Sequence, residues 1–389
     1  MRGLLGASLC RDFGELHTVT KAYVSLGALE HNLSQVRFLV GEAVEIMPVV
    51  KANAYGHGML PVCDRLHAAG VGVFGVATID EGIRLKEHIP GATVVLLGGA
   101  LPAQAEAVVE AALVPVVYDF GQAYALDHAA SRMNKDVPVH LKIDTGMTRL
   151  GVRYDEGLAF LERLQTLRRL GVVGLMTHLA TADAQDSSFT MLQLDRFDSF
   201  LASSGLRNQV VVHAANSAAT IKCPRSHYDM VRPGLMLYGL SPTGATPPGV
   251  TLKPILRLTS RVLRIARMRP GESVGYGREF VAKRNMQVAI VPLGYADGYC
   301  HRLSGRAEVI IRGARSPVIG AISMDMIAVE IKEHCEASVG DEVVIIGRQG
   351  TESISVNELA FLAETIPYEI LCGLGDRIDR VFVEQIWDE

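Results

Sequence analysis

The residue with the clearest chemical potential in this sequence is Lys51. It follows the apolar run 46–50 and precedes the segment 52–58, which contains Gly56 and Gly58. An amine at the end of a buried strand is partly desolvated, which lowers its pKa and makes its lone pair available as a nucleophile. Such an amine suits Schiff-base chemistry with a carbonyl cofactor, above all pyridoxal phosphate (PLP). Taken alone, a lysine at a strand end is more often a solvated surface charge.

The runs that would position this lysine alternate with helix-like segments. Short β-branched runs lie at 46–50, 71–77, 93–97, 114–118, 137–143, 172–177, 209–214 and 228–238. The segments between them, such as 101–112 and 154–170, are rich in helix-forming residues. This alternation predicts an α/β fold, a TIM-like (β/α)₈ barrel rather than an open sheet. Pro233 and Gly234 predict an interruption in the last strand.

The pattern of alternating strand-like and helix-like segments ends at the turn-rich stretch 241–249. Runs that follow it read as strands, with few long helices between them: 252–268, 286–292, 307–311, 326–331 and 342–346. We therefore predict a barrel at 26–250 and a mostly β C-terminal domain at 251–389. Residues 1–25 are predicted to be an N-terminal extension and a strand that joins the β domain.

Several polar side chains follow the predicted barrel strands. They are Lys142 and Arg149 after the fifth run, His178 after the sixth, Ser217 after the seventh and Arg232 in the eighth. Chemistry in such barrels gathers at the carboxyl ends of the strands, so these groups are predicted to share one mouth. Each has a structural alternative, because buried histidines are usually satisfied core residues and an Asn-Ser pair is a common helix cap.

With these motifs the chain resembles the PLP-dependent alanine racemases from about residue 22 to 380. The matching motifs are VVKANAYGHG (49–58), KIDTGM (142–147) with RLG (149–151), TH (177–178) with AD (182–183), VRPG (231–234) with YG (238–239), VGYG (274–277), GYADG (294–298) and SMD (323–325). The first motif alone is weak because other PLP barrels share it. The ordered set is specific.

The resemblance implies a two-base racemisation. Lys51 would carry PLP and act as one base, and Tyr276 would act as the other from the opposite face of the substrate. A tyrosine titrates near ~10, so Tyr276 needs polar neighbours to work near neutrality. The family supplies them, since the tyrosine is held by His178, which contacts Arg232.

Arg232 is implied to donate to the pyridine nitrogen of PLP. An arginine stays protonated, so the ring nitrogen remains deprotonated and the cofactor withdraws electrons more weakly. This favours return of the proton to the α-carbon over transamination. Arg149 matches a residue that orients the cofactor phenolate and the substrate carboxylate. Lys142 matches a lysine that is carbamylated in many relatives.

The remaining implied site residues bind phosphate or substrate. The phosphate donors would be Tyr55, Ser217, Gly234 and Leu235. On the substrate side, the resemblance implies Tyr295, Met324 and Asp325. In the family these three residues and the second tyrosine base come from the other subunit, so a homodimer with shared active sites is implied.

Three positions depart from the family pattern. Ala321 stands where relatives commonly carry arginine, Met326 replaces a frequent glutamine, and Asp376 falls where some members place a tyrosine that touches the phosphate. An anion beside a phosphate would be repulsive. These changes bear on substrate range rather than on reaction type.

Composition excludes several other classes. The 389 residues carry a net charge of −4, which implies no general affinity for nucleic acid or anionic membranes. Six scattered cysteines form no CxxC pair, which argues against a metal knuckle and favours a reducing compartment. No apolar run has the length of a membrane helix. We predict a cytoplasmic enzyme with no metal.

The hypothesis is therefore an alanine racemase, an isomerase that supplies D-alanine for peptidoglycan. One alternative is a broader racemase of small amino acids such as serine and alanine. Another is a barrel-type PLP decarboxylase, although that class pairs the ring nitrogen with a carboxylate. A third is a non-catalytic PLP-binding protein, which as a single barrel would have no use for the second domain.

Overall fold

The computed structural model describes residues 18–332 and 335–386. Most of the predicted N-terminal extension, residues 1–17, lies outside the described residues. The chain divides into two compact units. The barrel unit is Gly27–Pro254, and the β unit combines Ile255–Glu389 with the segment that ends at Leu26.

The strands, in chain order, are β1 (Lys21–Ser25), β2 (Glu45–Ile46), β3 (Val73–Val76), β4 (Thr93–Leu96), β5 (Val114–Val117), β6 (Val137–Asp144), β7 (Val152–Arg153), β8 (Leu170–Met176), β9 (Val211–His213), β10 (Met230–Val231), β11 (Leu256–Arg261), β12 (Arg264–Met268), β13 (Ser273–Val274), β14 (Phe280–Val281), β15 (Met286–Val291), β16 (Glu308–Ile311), β17 (Ala314–Ile319), β18 (Ile327–Ile331), β19 (Glu342–Gln349), β20 (Glu352–Ile354) and β21 (Asp379–Val383).

The helical segments are α1 (Leu26–Val40), α2 (Lys51–Tyr55), α3 (Met59–Ala68), α4 (Ile79–His88), α5 (Ala105–Glu110), α6 (Phe120–Met133), α7 (Gly157–Leu164), α8 (Ser188–Ser204), α9 (Ser217–Lys222), α10 (Val356–Leu362) and α11 (Pro367–Cys372). Of these, α2 is left-handed over residues 52–55. None of the helices in the described part of the chain is long and apolar enough to cross a membrane.

The barrel unit contains eight parallel strands in the order β2-β10-β9-β8-β6-β5-β4-β3. The ends of this path meet, because Val49 forms a parallel bridge with Gly75. The N–H of Gly75 donates to Pro48 O and that of Val50 to Gly75 O, both at 2.9 Å. The predicted (β/α)₈ barrel is confirmed, and it closes beside the strand that carries Lys51.

The predicted run 228–238 is a regular strand only at β10, as Pro233 suggested. The pairing with the lysine strand nevertheless continues, since Val49 N donates to Pro233 O at 2.9 Å. The predicted helix 154–170 is wrong at both ends. The helix stops at Leu164, and Leu170 already belongs to β8. Tyr154 N donates to Asp144 O at 3.0 Å, which ties that residue to β6, so α7 begins only at Gly157.

The β unit is built on a sheet ordered β12-β15-β18-β17-β16-β19-β11-β1-β21, with β20 paired to β19. β1 lies between two later strands, antiparallel to β11 and parallel to β21. The predicted run 252–268 consists of two strands, β11 and β12. β17 is not evident in the sequence because Arg315, Ser316 and Pro317 interrupt its apolar pattern. The expected mostly β second domain is confirmed.

Candidate active site at the barrel mouth

Lys51 opens a turn of unusual handedness. The φ angles of Ala52, Asn53, Ala54 and Tyr55 lie between 52° and 54°, in the left-handed helical region. For residues with a Cβ this conformation costs about 1–2 kcal/mol each. Four in succession persist only where the surroundings hold them, and such strain tends to gather at functional sites.

Hydrogen bonds at both ends hold this turn. The N–H of Ala52 donates to Oε1 of Glu81 at 2.6 Å. At the other end, Oδ1 of Asn53 accepts from the N–H of Met59 at 2.8 Å, and its carbonyl accepts from Gly58 N at 2.9 Å. The lysine backbone is therefore fixed by side chains as well as by the strand before it.

Arg232 lies at the centre of the barrel mouth with 3% of its surface exposed. Its NH1 donates to Nδ1 of His213 at 2.8 Å. Its NH2 donates to Thr177 O and Ala214 O, both at 2.9 Å, and to Nδ1 of His178 at 3.2 Å. Burial lowers the pKa of Arg232 to about 9, so the guanidinium keeps its charge at neutral pH.

These contacts fix the tautomers of two histidines. A guanidinium can only donate, so Nδ1 of His178 and of His213 must accept, and each ring carries its proton on Nε2. Burial, followed by the charge of Arg232, holds the pKa of both rings well below its usual range. Arg232 is thus surrounded by neutral acceptors. Its Nε–H makes no hydrogen bond with any residue that the structure describes.

A third imidazole extends this series of hydrogen bonds from Arg232 through His213. Nδ1 of His140 lies 2.8 Å from Nε2 of His213, which donates to it. Burial and the charge of Arg232 lower the pKa of His140 to about 4. Gly174 makes room for this ring, since a Cβ there would approach the imidazole to 2.5 Å.

Lys142 points a second amine into the same region. It is buried, and burial together with the charges of Arg232 and Arg149 lowers its pKa to about 8, against a smaller opposing effect of Asp144. Much of this amine is therefore neutral in mildly alkaline solution, which is the form that can react with carbon dioxide.

The loop after β6 explains how Arg149 reaches this mouth. Oδ1 of Asp144 accepts from the backbone N–H groups of 146–148 at 2.9–3.1 Å, which curls the chain into a tight loop. Gly151 closes it at φ 128°, where a Cβ would lie 2.7 Å from Asp144 N. Arg149 lies on this loop and is exposed.

A group of neutral donors lies on another side of the mouth. Oγ of Ser217 accepts from the N–H of Gly234 at 2.9 Å and faces that of Met236 at 3.4 Å. A Cβ on Gly234 would lie 2.6 Å from the hydroxyl of Tyr55, so only glycine permits this approach. Leu235 is buried beside them. Hydroxyl and backbone donors of this kind suit a phosphate group.

The charges of this site fit an anionic cofactor. The pKa of His178 is lowered by burial and then by the charges of Arg232, Lys142, Arg149 and Lys51, so four basic side chains lie near enough to act on one imidazole. Such a concentration of positive charge, beside neutral phosphate donors, matches a ligand that carries a phosphate and a phenolate.

The β unit holds the remaining predicted residues. Tyr276 lies in a 3-10 turn after β13, and 77% of its surface is exposed. It borders a hollow of about 320 Å³ together with Ala321 and Met326, two of the positions that depart from the family pattern. Asp376, the third departure, is exposed.

Two loops of the β unit are joined by backbone hydrogen bonds. Tyr295 N donates to Ser323 O at 3.1 Å and Ala296 N to Met324 O at 3.0 Å. Asp325 accepts from NH2 of Arg377 at 2.8 Å. The structure thus brings Tyr295, Met324 and Asp325 together.

Three residues of the barrel site were not predicted from the sequence: Glu81, His140 and His213. A signal was present for two of them. His140 shares its side of β6 with Lys142, two residues further on, and His213 is a polar residue in a strand that is otherwise apolar. The sequence around Glu81 predicts only a helix-cap residue. No nearby sequence pattern indicates its contact with the lysine turn.

Family models match both parts of the chain. The alanine racemase N-terminal domain matches residues 24–242 and the alanine racemase C-terminal domain matches 255–382. The chain belongs to the alanine racemase family. This membership confirms the predicted resemblance and the predicted isomerase, and it sets aside the decarboxylase and the single-barrel binding protein.

Alanine racemases from bacteria align over nearly the whole chain. The enzyme of Halothermothrix orenii is 40% identical over 369 residues, which cover 94% of this chain and 97% of the relative. That of Symbiobacterium thermophilum is 42% identical over 366 residues, covering 93% and 97%.

Solved alanine racemase structures agree with the fold. The Clostridium difficile enzyme superimposes with a TM-score of 0.89 at 32% identity, covering 95% of this chain and 97% of the other. The Bartonella henselae enzyme, which carries covalently bound pyridoxal phosphate, gives 0.86 at 30% identity and covers 94% and 100%.

Proposed function

We propose that this alanine racemase interconverts L- and D-alanine, with Lys51 and Tyr276 as its two bases. The observation that carries the proposal is the arrangement around Arg232. This buried cation is held by neutral acceptors, and Lys51, Lys142 and Arg149 add their charges beside it.

Pyridoxal phosphate is the cofactor of this family, as the sequence predicted. When bound, it draws electron density away from the α-carbon of an attached amino acid and so acidifies the α-proton. We assign Lys51 as the attachment point. Tyr55, Ser217, Gly234 and Leu235 would hold the phosphate, since the hydroxyls of Tyr55 and Ser217 both lie beside Gly234.

Arg232 would meet the pyridine nitrogen through its Nε–H, the donor that no described residue uses. Because the guanidinium keeps its proton, it leaves none on the ring nitrogen. Electron withdrawal is then weaker, which favours return of the proton to the α-carbon. His178 and His213 support this role by accepting hydrogen bonds without adding charge.

Proton transfer then needs one base on each face of the α-carbon. The amine of Lys51 serves one face and the phenol of Tyr276 the other, so neither group has to move far. Nε2 of His178 carries a proton and is the group we expect to donate to the phenol oxygen. Arg149 would bind the carboxylate of the substrate, which a planar fork of donors suits.

We propose a homodimer in which Tyr276, Tyr295, Met324 and Asp325 of each subunit complete the other subunit's site. Support comes from the 77% exposure of Tyr276 and from the exposed Met324 and Met326 near it, since apolar side chains gathered on a surface are typical of an interface. Lys142 is proposed to be carbamylated and then to position Arg149.

We further propose that the enzyme acts in the cytoplasm and supplies D-alanine for peptidoglycan. A racemase of wider scope is the second candidate, because Ala321 is a small residue on the hollow beside Tyr276. A pocket discriminates one methylene by only about 1–3 kcal/mol, so serine could compete with alanine.

The test is a panel of L-amino acids incubated with purified protein and PLP, scored by chiral chromatography. Alanine should racemise fastest. Serine turnover equal to that of alanine would support the wider racemase, and no racemisation at all would overturn both. Borohydride reduction followed by peptide mapping should place the cofactor on Lys51.

A further inference from the structure

Glu81 joins the lysine turn to the next strand of the barrel. It lies in the first turn of α4, and its Oε2 accepts from Ala77 N at 2.9 Å and Thr78 N at 3.2 Å. Its Oε1 reaches across to the N–H of Ala52 at 2.6 Å. One carboxylate therefore binds amides from two loops that follow adjacent strands.

Helix capping explains only half of these contacts. Thr78 and Glu81 form a reciprocal capping box, in which Thr78 Oγ1 accepts from Glu81 N at 3.3 Å and Oε2 returns to Thr78 N. The bond from Oε1 to Ala52 lies outside the helix and adds nothing to its cap. It needs a separate explanation.

That bond is made at the start of the strained turn. Ala52 directly follows Lys51 and is the first of the four left-handed residues. A carboxylate oxygen makes a stronger hydrogen bond to a backbone N–H than a neutral acceptor does. The acceptor thus acts on the amide next to the lysine, at the residue where the left-handed region begins.

We propose that Glu81 is a positioning residue for Lys51: its carboxylate holds the backbone of the left-handed turn and so sets where the lysine amine lies. In this role Glu81 touches neither substrate nor cofactor. The proposal rests on the proposed role of Lys51.

Three variants of the holoenzyme separate this role from helix capping. Glu81→Ala removes the glutamate half of the capping box and the bond to Ala52. Thr78→Ala removes the threonine half of the cap and leaves the bond to Ala52 in place, so it is the matched control. Glu81→Gln keeps one carbonyl oxygen that can accept from Ala52 and should restore part of the function.

Three readouts would be compared: kcat and KM for alanine, the rate of PLP release followed by visible absorbance, and hydrogen exchange of peptides covering 51–58. For Glu81→Ala we expect kcat to fall about 100-fold, as for a catalytic group displaced by an ångström, with KM changed much less. Cofactor release and hydrogen exchange at 51–58 should both be faster. Thr78→Ala should lower the melting temperature and leave all three readouts close to wild type.

Equal effects of Glu81→Ala and Thr78→Ala on kcat and exchange would overturn the proposal, because Glu81 would then act only as a cap. If Glu81→Ala does not fold, Glu81→Asp decides, because its carboxylate can still cap the helix but is one methylene shorter and should not reach the N–H of Ala52. Unchanged kcat, cofactor release and exchange at 51–58 in that variant would also overturn the proposal. Borohydride mapping of the wild type tests Lys51 independently, so failure of the proposed function would be recognised separately.

Discussion

The guanidinium of Arg232 donates to Nδ1 of His213 at 2.8 Å, deep in the barrel. The partner of this buried cation is thus a neutral ring and not a carboxylate. A carboxylate would compensate the charge of Arg232 and weaken its hold on a ligand atom. The histidine instead orients the guanidinium and leaves its positive charge directed at the ligand.

Replacing His213 should damage the site more than replacing His140. His213→Leu leaves NH1 of Arg232 without its acceptor, and a buried unsatisfied donor costs about 1–3 kcal/mol of stability. It should also lower kcat, because Arg232 loses its orientation. His140→Leu removes an equally buried ring without touching Arg232, so its loss of kcat should be small. Urea unfolding and alanine kinetics would measure both. Equal losses of kcat would contradict the role of His213.

Stability should fall as the pH drops from about 6.5 to about 4. The pKa of His140 is about 4 in the fold against an ordinary 6.5, so the unfolded chain binds a proton first across this range. The cost approaches roughly 3 kcal/mol by pH 4. His178 and His213, with pKa values lowered in the same direction, add to it. Urea unfolding of wild type and His140→Leu at pH 7 and pH 5 tests this. The variant should lose less stability than the wild type, and an identical loss would contradict the assignment.

Lys142 should take up carbon dioxide. Its pKa near 8 leaves far more neutral amine at pH 8 than an exposed lysine would have. Protein incubated with ¹³C-bicarbonate should give a carbamate carbon signal in NMR, and this signal should be absent in Lys142→Ala. Lys135→Ala is the control. The amine of Lys135 donates to the backbone carbonyls of Val109 and Glu110, and its loss should leave the carbamate signal unchanged. No carbamate signal in the wild type would contradict the prediction.

Two inactive variants should restore activity when they are combined. Lys51→Ala and Tyr276→Phe should each lose at least 100-fold in kcat as homodimers. When they are coexpressed, about half of the dimers are mixed. If Tyr276 acts across the interface, one of the two sites in each mixed dimer has both bases. The coexpressed protein should then show roughly one quarter of wild-type activity. No recovery would mean that both bases come from one subunit. Tyr124→Phe, an exposed tyrosine on α6, serves as the control and should retain full activity.

Local sequence predicted the features that depend on strand order. Lys51, Lys142 and Arg232 each lie at or after a barrel strand, so the rule that chemistry gathers at the carboxyl ends placed them together. The closure between Val49 and Gly75 then followed from the fold. Predicting these features required only the spacing of the apolar runs along the sequence.

Features that depend on tertiary contact could not be predicted. The left-handed conformation of Ala52 and Asn53 is contrary to their intrinsic preference, and part of what holds it is Glu81, which lies on the helix after the next strand. The neutral state of His140 likewise depends on burial and on Arg232. No local pattern encodes such partners.

The position of β1 between β11 and β21 has a consequence for synthesis on the ribosome. The barrel is complete once residue 254 has emerged. At that point both edges of β1 are unpaired; β11 can pair with one edge soon afterwards, but the other stays open until β21 is translated. A protein cut after residue 254 would carry an orphaned strand that is prone to pair with other chains, so the order of emergence makes an interrupted product liable to aggregate.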